Sequence, residues 1–263
     1  MSEWSTLILT IDPPVASIVL NRPQSRNAIT LPMLDELVRA AERVESDDSV
    51  RVVLLTGGGE TFSVGFDLQA MAGLFAGGVP AQESLASMAA QGRKAVNAIA
   101  GLSAVTVASV QGHAIGGGFL LASACDLRIV AADTTFCLPE IDLGVPLTWG
   151  GVPMLCQLLG TALARDVVMT GRRFGPEDVV GTGFAHRVVP SADCTAATNE
   201  LIADLCAKPA RALRQVKAQF QQTMGIRDDE MSDEARFVEA VLDPNFLATA
   251  MAYVQRLSNK PSS

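Results

Sequence analysis

The sequence predicts an α/β fold followed by a helical C-terminal region, and three observations carry that expectation. Short apolar or β-branched runs alternate with amphipathic helical stretches from residue 7 to about residue 191. A glycine triplet, Gly116-Gly117-Gly118, separates the run Val105–Val110 from a small-residue helical run, FLLASA. Beyond Ser191 no convincing strand pattern recurs, and the chain reads as helices broken near Lys208-Pro209, Gly225 and Asp243-Pro244.

Taken in order, residues 7–11 and 16–20 are apolar runs around Asp12-Pro13-Pro14, a strand pair joined by a turn. Thr30 can cap a helix with Pro32 in its first turn, and Leu34, Leu37, Val38, Ala41 and Val44 repeat at helical spacing up to Ser46-Asp47-Asp48. Residues 51–56 form a buried strand ending in glycines, and residues 82–102 a long helix. Strands are expected at Val105–Val110, residues 126–131 and residues 134–138. The last helix, over residues 246–257, has Phe246, Ala250, Tyr253, Val254 and Leu257 along one side, a stripe suited to its own core or to a neighbouring subunit.

Composition excludes several classes. At 263 residues and 49% hydrophobic the chain can bury a large core. A net charge of −8 with scattered Lys and Arg argues against a nucleic-acid groove. An anionic ligand would need local cations, for which Arg22, Arg26, Arg51, Arg93 and Lys94 are candidates. Five cysteines without a C-x-x-C pair imply neither a disulfide framework nor a zinc site, so no metal is expected and the cysteines read as small buried hydrophobes in a reducing compartment. The N-terminal stretch lacks the basic region of a signal peptide and no apolar run reaches spanning length, so the expected location is the cytoplasm, away from any membrane.

The glycine triplet permits two readings. Glycines at a strand-to-helix corner can let the elements pack closely, or they can leave helix N-terminal N–H groups free to stabilise a developing negative oxygen. The spacing of Gly112 and Gly116 does not fit G-x-G-x-x-G, and no G-x-x-x-x-G-K-S/T occurs, which argues against nucleotide phosphates and a nucleotide-dependent oxidoreductase. Ser63 sits in a glycine-rich stretch but has Thr61 two residues before it, where a nucleophile elbow needs Gly, so a serine hydrolase is a weak alternative.

Three segments in order resemble the crotonase superfamily, the enoyl-CoA hydratase/isomerase family, over nearly the whole chain. They are Asn21-Arg22-Pro23 with Arg26-Asn27-Ala28-Ile29; Thr56-Gly57 with Phe62-Ser63-Val64-Gly65-Phe66-Asp67-Leu68; and Gln111 to Gly118 with Cys125-Asp126-Leu127-Arg128. The resemblance implies a spiral of repeated strand–strand–helix units in residues 1–193. Residues 194–263 would be a helical region for packing and assembly into a homotrimer or dimer of trimers. It implies an acyl-CoA substrate, coenzyme A entering only as part of that substrate, and no permanently bound cofactor. The backbone N–H groups of Phe66 and Gly117 would form the oxyanion hole. Arg26 and Ala28, with Ser63, Gly65, Asp67 and Leu68, would hold the nucleotide end of coenzyme A. Glu140, in Phe136-Cys137-Leu138-Pro139-Glu140, would be the catalytic acid/base.

The chain departs from the hydratase pattern at Leu120, where hydratases of the family carry a second glutamate. With one carboxylate, the reaction implied is conversion of a 3-enoyl-CoA to a 2-enoyl-CoA, as in the family's isomerases. The position eight residues after Glu140, acidic in the family's dienoyl-CoA isomerases and aromatic-acyl dehalogenases, is Thr148 here, so those branches recede. Phe66, where many members have Ala, should narrow the acyl pocket. Two alternatives stand beside the isomerase: a hydratase of fatty-acid degradation using Asp67 or Asp142, and an acyl-CoA-binding protein without efficient turnover.

Overall fold

The computed structural model describes residues 4–76, 78–79, 81–223, 233–242, 244 and 246–258. Strands β1 (Leu7–Asp12) and β2 (Val15–Leu20) form the expected antiparallel pair, with Leu7 opposite Leu20. Helix α1 (Leu31–Glu45) starts at Thr30, whose side chain accepts the Met33 N–H. Then follow β3 (Val52–Gly57), α2 (Leu68–Phe75), α3 (Gln82–Ala100), β4 (Val105–Val110), β5 (His113–Ile115), α4 (Gly117–Ser123), β6 (Leu127–Ala131) and β7 (Thr135–Cys137). The remainder comprises α5 (Gly151–Leu159), α6 (Thr161–Thr170), α7 (Pro176–Val179), β8 (Arg187–Val189), α8 (Cys194–Cys206), α9 (Ala210–Thr223), α10 (Asp233–Val241) and α11 (Phe246–Ser258).

The main sheet has the order β1-β2-β3-β4-β6-β8 and is parallel beyond its first pair. A second, smaller ladder runs beside it. β5 pairs in parallel with β7, and single parallel bridges join Ser63 to Ala114 and Ile29 to Phe66. Each turn of the chain thus leaves the main sheet, rounds a corner and contributes a short extended piece to the second ladder. This is the strand–strand–helix spiral that the sequence motifs implied. The three motif segments meet on that ladder, so its bridges bring Ile29, Phe66 and Ala114 to one place.

One face of the main sheet, with Ile18, Leu20, Leu55 and Val110, is buried in the central core with α1, α3 and α4. On the other face Ile202 of α8 packs with Val52 and Val107. Burying both faces explains why β4 is wholly apolar or small and buried at all six positions. A second cluster joins Met88 and Ala89 of α3 to Phe237 and Val238 of α10 and Phe246 of α11. The region after residue 193 therefore has a use inside the protomer: α8 covers the sheet and α10 roofs the site.

Differences from the sequence reading are local. Helix α2 and strands β5 and β8 went unread, as did α5, α6 and α7. Three-residue strands and a four-residue helix carry too few positions for a period to show. All five cysteines are free thiols, but Cys156 and Cys206 are only partly buried, which corrects the reading of all five as core. On α11, Phe246 is buried with its ring tilted against that of Phe75 at 5.7 Å, whereas Val254 is exposed. Gly225, Asp243 and the side chains of Tyr253 and Leu257 lie outside the described residues. Among the described residues no helix is long and apolar enough to cross a membrane, and no three His, Cys, Asp or Glu side chains gather as a metal site.

Candidate active site

The loop that begins at Arg22 is pinned by Asn27, a fully buried side chain at φ 55°. Its amide donates to the carbonyls of Gly58 and Thr61 and its oxygen accepts the Arg22 N–H. Asparagine tolerates the left-handed region better than most residues, and here it also closes three hydrogen bonds between two motif segments. Asn27→Ala is expected to destabilise the fold by about 2–4 kcal/mol, because buried backbone groups lose their partners. Chemical denaturation would show it as a lower midpoint at unchanged slope.

Arg22 forms an ion pair with Asp67 at 3.1 Å. Asp67 also caps α2 by accepting the Gln69 and Ala70 N–H groups. Gly65, at φ 82°, lets the loop approach the second ladder so closely that a Cβ there would lie 2.6 Å from the Ile115 carbonyl oxygen and 3.6 Å from the Gly117 nitrogen. The segments carrying Phe66 and Gly117 are therefore neighbours. Neither N–H has an acceptor among the described residues.

Helix α4 is held at both ends. Phe119, directly after the glycines, packs on Phe184 at 4.5 Å and on Phe136 and Phe174 at 5.2 and 5.4 Å. At the other end the buried guanidinium of Arg128 donates to the Ala122 and Ser123 carbonyls and to Phe184. These contacts fix where the Gly117 N–H sits, and they rest on aromatic and arginine residues far apart in sequence.

Glu140 comes from the short 3-10 turn Pro139–Leu143 and reaches the same glycines. A Cβ on Gly116 would lie 2.6 Å from Glu140 Oε1, so the carboxyl occupies space that only glycine leaves open. Its Oε2 is buried without a hydrogen-bond partner. Burial pushes the Glu140 carboxyl up to about 7, the desolvation outweighing a main-chain hydrogen bond that acts the other way. A carboxyl poised near neutrality can both take and return a proton.

That carboxyl also loads the fold. An acid whose folded pKa lies above its unfolded value favours the folded state fully only below the unfolded pKa, and that contribution is lost as pH rises through about 7. Glu140→Gln is therefore expected to match the parent in stability near pH 4–5 and to exceed it at pH 8 by up to about 3 kcal/mol, read as a higher Tm. Equal melting temperatures at both pH values would contradict the strained carboxyl.

A cavity of about 780 Å³ opens over these groups. It is lined by Glu140, Phe66 and Gly117, and also by Arg26, Ala28, Gly65, Asp67 and Leu68. Ser63 departs from its expected place on the cavity wall. It is fully buried, its hydroxyl donates to the Asn27 carbonyl and accepts the Gly65 N–H, and it braces the loop from beneath. That bonding also removes it as a nucleophile. Of the other candidate cations, Arg51 donates to the Cys206 carbonyl and Arg93 lies 3.8 Å from Glu234, whereas Arg26 is exposed on the cavity rim.

Trp149 and Arg173, which the sequence does not single out, also line the cavity, as does His113. Burial, with Arg26 and Arg173 nearby, holds His113 below the usual imidazole range. Leu120 lines the cavity at 2% exposure, among apolar neighbours.

The model of the enoyl-CoA hydratase/isomerase family matches residues 10–243. The chain belongs to this family. It is 33% identical over 226 residues to a "probable enoyl-CoA hydratase" of Mycobacterium bovis, covering 84% of each chain. It is 35% identical over 224 residues to the carnitinyl-CoA dehydratase of Salmonella enteritidis, covering 85% of this chain and 82% of that one. Among solved structures, an enoyl-CoA hydratase-type protein of Thermobifida fusca in complex with CoA superimposes with a TM-score of 0.76 at 34% identity, over 97% of this chain and 95% of that one. The family is one of enzymes, so the enzyme reading of the sequence holds over that of a binding protein, and the spiral is its fold.

Proposed function

We propose that this enzyme converts a 3-enoyl-CoA to the conjugated 2-enoyl-CoA. The observation that carries the reading is the pairing of one buried, near-neutral carboxyl, Glu140 beside Gly116, with an apolar Leu120 one turn into α4. The thioester oxygen accepts the Phe66 and Gly117 N–H groups, and Glu140 removes a proton from the α-carbon. The electron pair spreads over the dienolate to the oxygen, where each main-chain donor is worth about 3 kcal/mol of barrier. Protonated Glu140 then returns the proton at the γ-carbon, and the double bond has moved by one position. No water is needed, and Leu120 gives none an anchor.

The CoA ligand of the Thermobifida fusca structure supports the same ligand class here. Arg26, Ala28, Gly65, Asp67 and Leu68 would flank the nucleotide end, and Arg173 on the rim adds a second cation. Assembly as a homotrimer or dimer of trimers belongs to this reading, and size-exclusion chromatography with light scattering checks it.

The named hydratase and dehydratase relatives favour a second reading, addition of water to a 2-enoyl-CoA. It needs another acid. Asp67 is engaged by Arg22 and the α2 cap, which leaves Asp142 on the cavity wall. The deciding experiment offers 3-enoyl-CoA and 2-enoyl-CoA separately. The isomerase reading expects conversion of the first and no hydration of the second; hydration without isomerisation overturns it, and loss of that hydration in Asp142→Asn would identify the acid.

A further inference from the structure

We infer that Trp149 is a specificity-determining residue that restricts the enzyme to acyl chains unbranched at the α-carbon; the inference rests on the acyl-CoA reading above for where the thioester lies. Trp149 has φ 59°, a backbone conformation that bulky residues rarely adopt, and Gly150 follows at φ 75°. This turn carries the indole into the molecule, where it is 7% exposed and lines the cavity.

The ring lies between two helices that both lack a Cβ at the contact. A Cβ on Gly92 of α3 would lie 1.9 Å from Trp149 Cε2, and one on Gly117 of α4 would lie 2.3 Å from Cζ3. Ring and glycines therefore form one packing unit, and the indole has no room to swing aside. The wall continues through Leu120 and Leu147, which a Cβ on Gly151 would meet at 3.0 and 2.8 Å.

Successive glycines thus face successive groups: Glu140 over Gly116 and the indole over Gly117. An acyl group whose carbonyl oxygen sits on the Gly117 N–H has its α-carbon beside both. A linear chain leaves this corner toward Met88 and Phe237, whose side chains line the cavity under α10. A branch at the α-carbon has the carboxyl on one side and a trapped aromatic ring on the other. One misplaced methyl against a rigid wall is worth roughly 10- to 200-fold in discrimination.

Butyryl-CoA and isobutyryl-CoA have the same atoms and differ only in that branch, and neither has a double bond to move. Isothermal titration calorimetry would compare them on the parent, Trp149→Ala and Trp149→Phe. The parent is expected to favour butyryl-CoA at least tenfold, Trp149→Ala to bring the ratio within about twofold by gaining affinity for isobutyryl-CoA, and Trp149→Phe to fall between. A ratio of affinities does not depend on how much of the sample is folded, so a merely structural role for Trp149 would leave it unmoved. If Trp149→Ala does not fold, at least a threefold fall in the ratio for Trp149→Phe supports the inference and an unchanged ratio overturns it. Both ligands binding with the same ratio in every protein overturns the inference alone; failure of the parent to bind either one overturns the acyl-CoA reading as well.

Discussion

Glu140→Gln is expected to lower kcat on 3-enoyl-CoA by about 100- to 10,000-fold while leaving acyl-CoA affinity within a few-fold. The amide fills the same space beside Gly116 but cannot accept the α-proton, so only the chemical step suffers. In the parent enzyme kcat/KM should rise with pH through about 7, because the ionised carboxyl is the base and burial has raised its pKa to about that value. That acid limb should vanish from the residual activity of the variant. Steady-state rates between pH 5 and 9 test both points together. A variant that keeps a third of the parent rate, or a parent profile with its acid limb near pH 4, would remove Glu140 from the role.

Gly117→Ala is expected to cost about 100- to 1,000-fold in kcat, through displacement of an oxyanion donor. The added methyl would stand 2.3 Å from Trp149 Cζ3 and 2.6 Å from Cη2, and Gly92 blocks the ring from behind. The start of α4 must shift instead, and the Gly117 N–H moves with it. Gly73→Ala is the control. It lies exposed in α2 with nothing within 4 Å of the new methyl, so activity should be unchanged and stability should rise by about 0.5–1 kcal/mol. A fully active Gly117→Ala would return the glycine triplet to its packing role.

Much of this could be read along the chain. Runs such as Val105–Val110 and the helical repeat from Leu34 to Val44 report burial directly, since a strand buried on both faces carries apolar or small residues throughout and a helix with one buried face must repeat at its own pitch. Glu140, Phe66 and Gly117 were found through the order of their motifs, and the fold brings the same three to one cavity. Ser63 was misplaced because sequence shows that a residue belongs to a loop and not which way it points; its hydroxyl is turned inward to Asn27. Trp149 and Arg173 were missed because neither falls in a motif or a periodic run.

The sequence by itself therefore determined the α/β class, the order of the motifs, the place of Glu140 after Pro139 and the apolar residue at position 120. The tertiary structure alone decided that Gly92, Gly117 and Trp149 interlock, that Glu140 Oε2 is buried without a partner and the carboxyl raised toward neutrality, and that α10 roofs the cavity. The physical reason is distance along the chain. Periodicity and motif spacing record what neighbouring residues must do together, whereas desolvation and close packing depend on side chains that the chain brings together only when it folds.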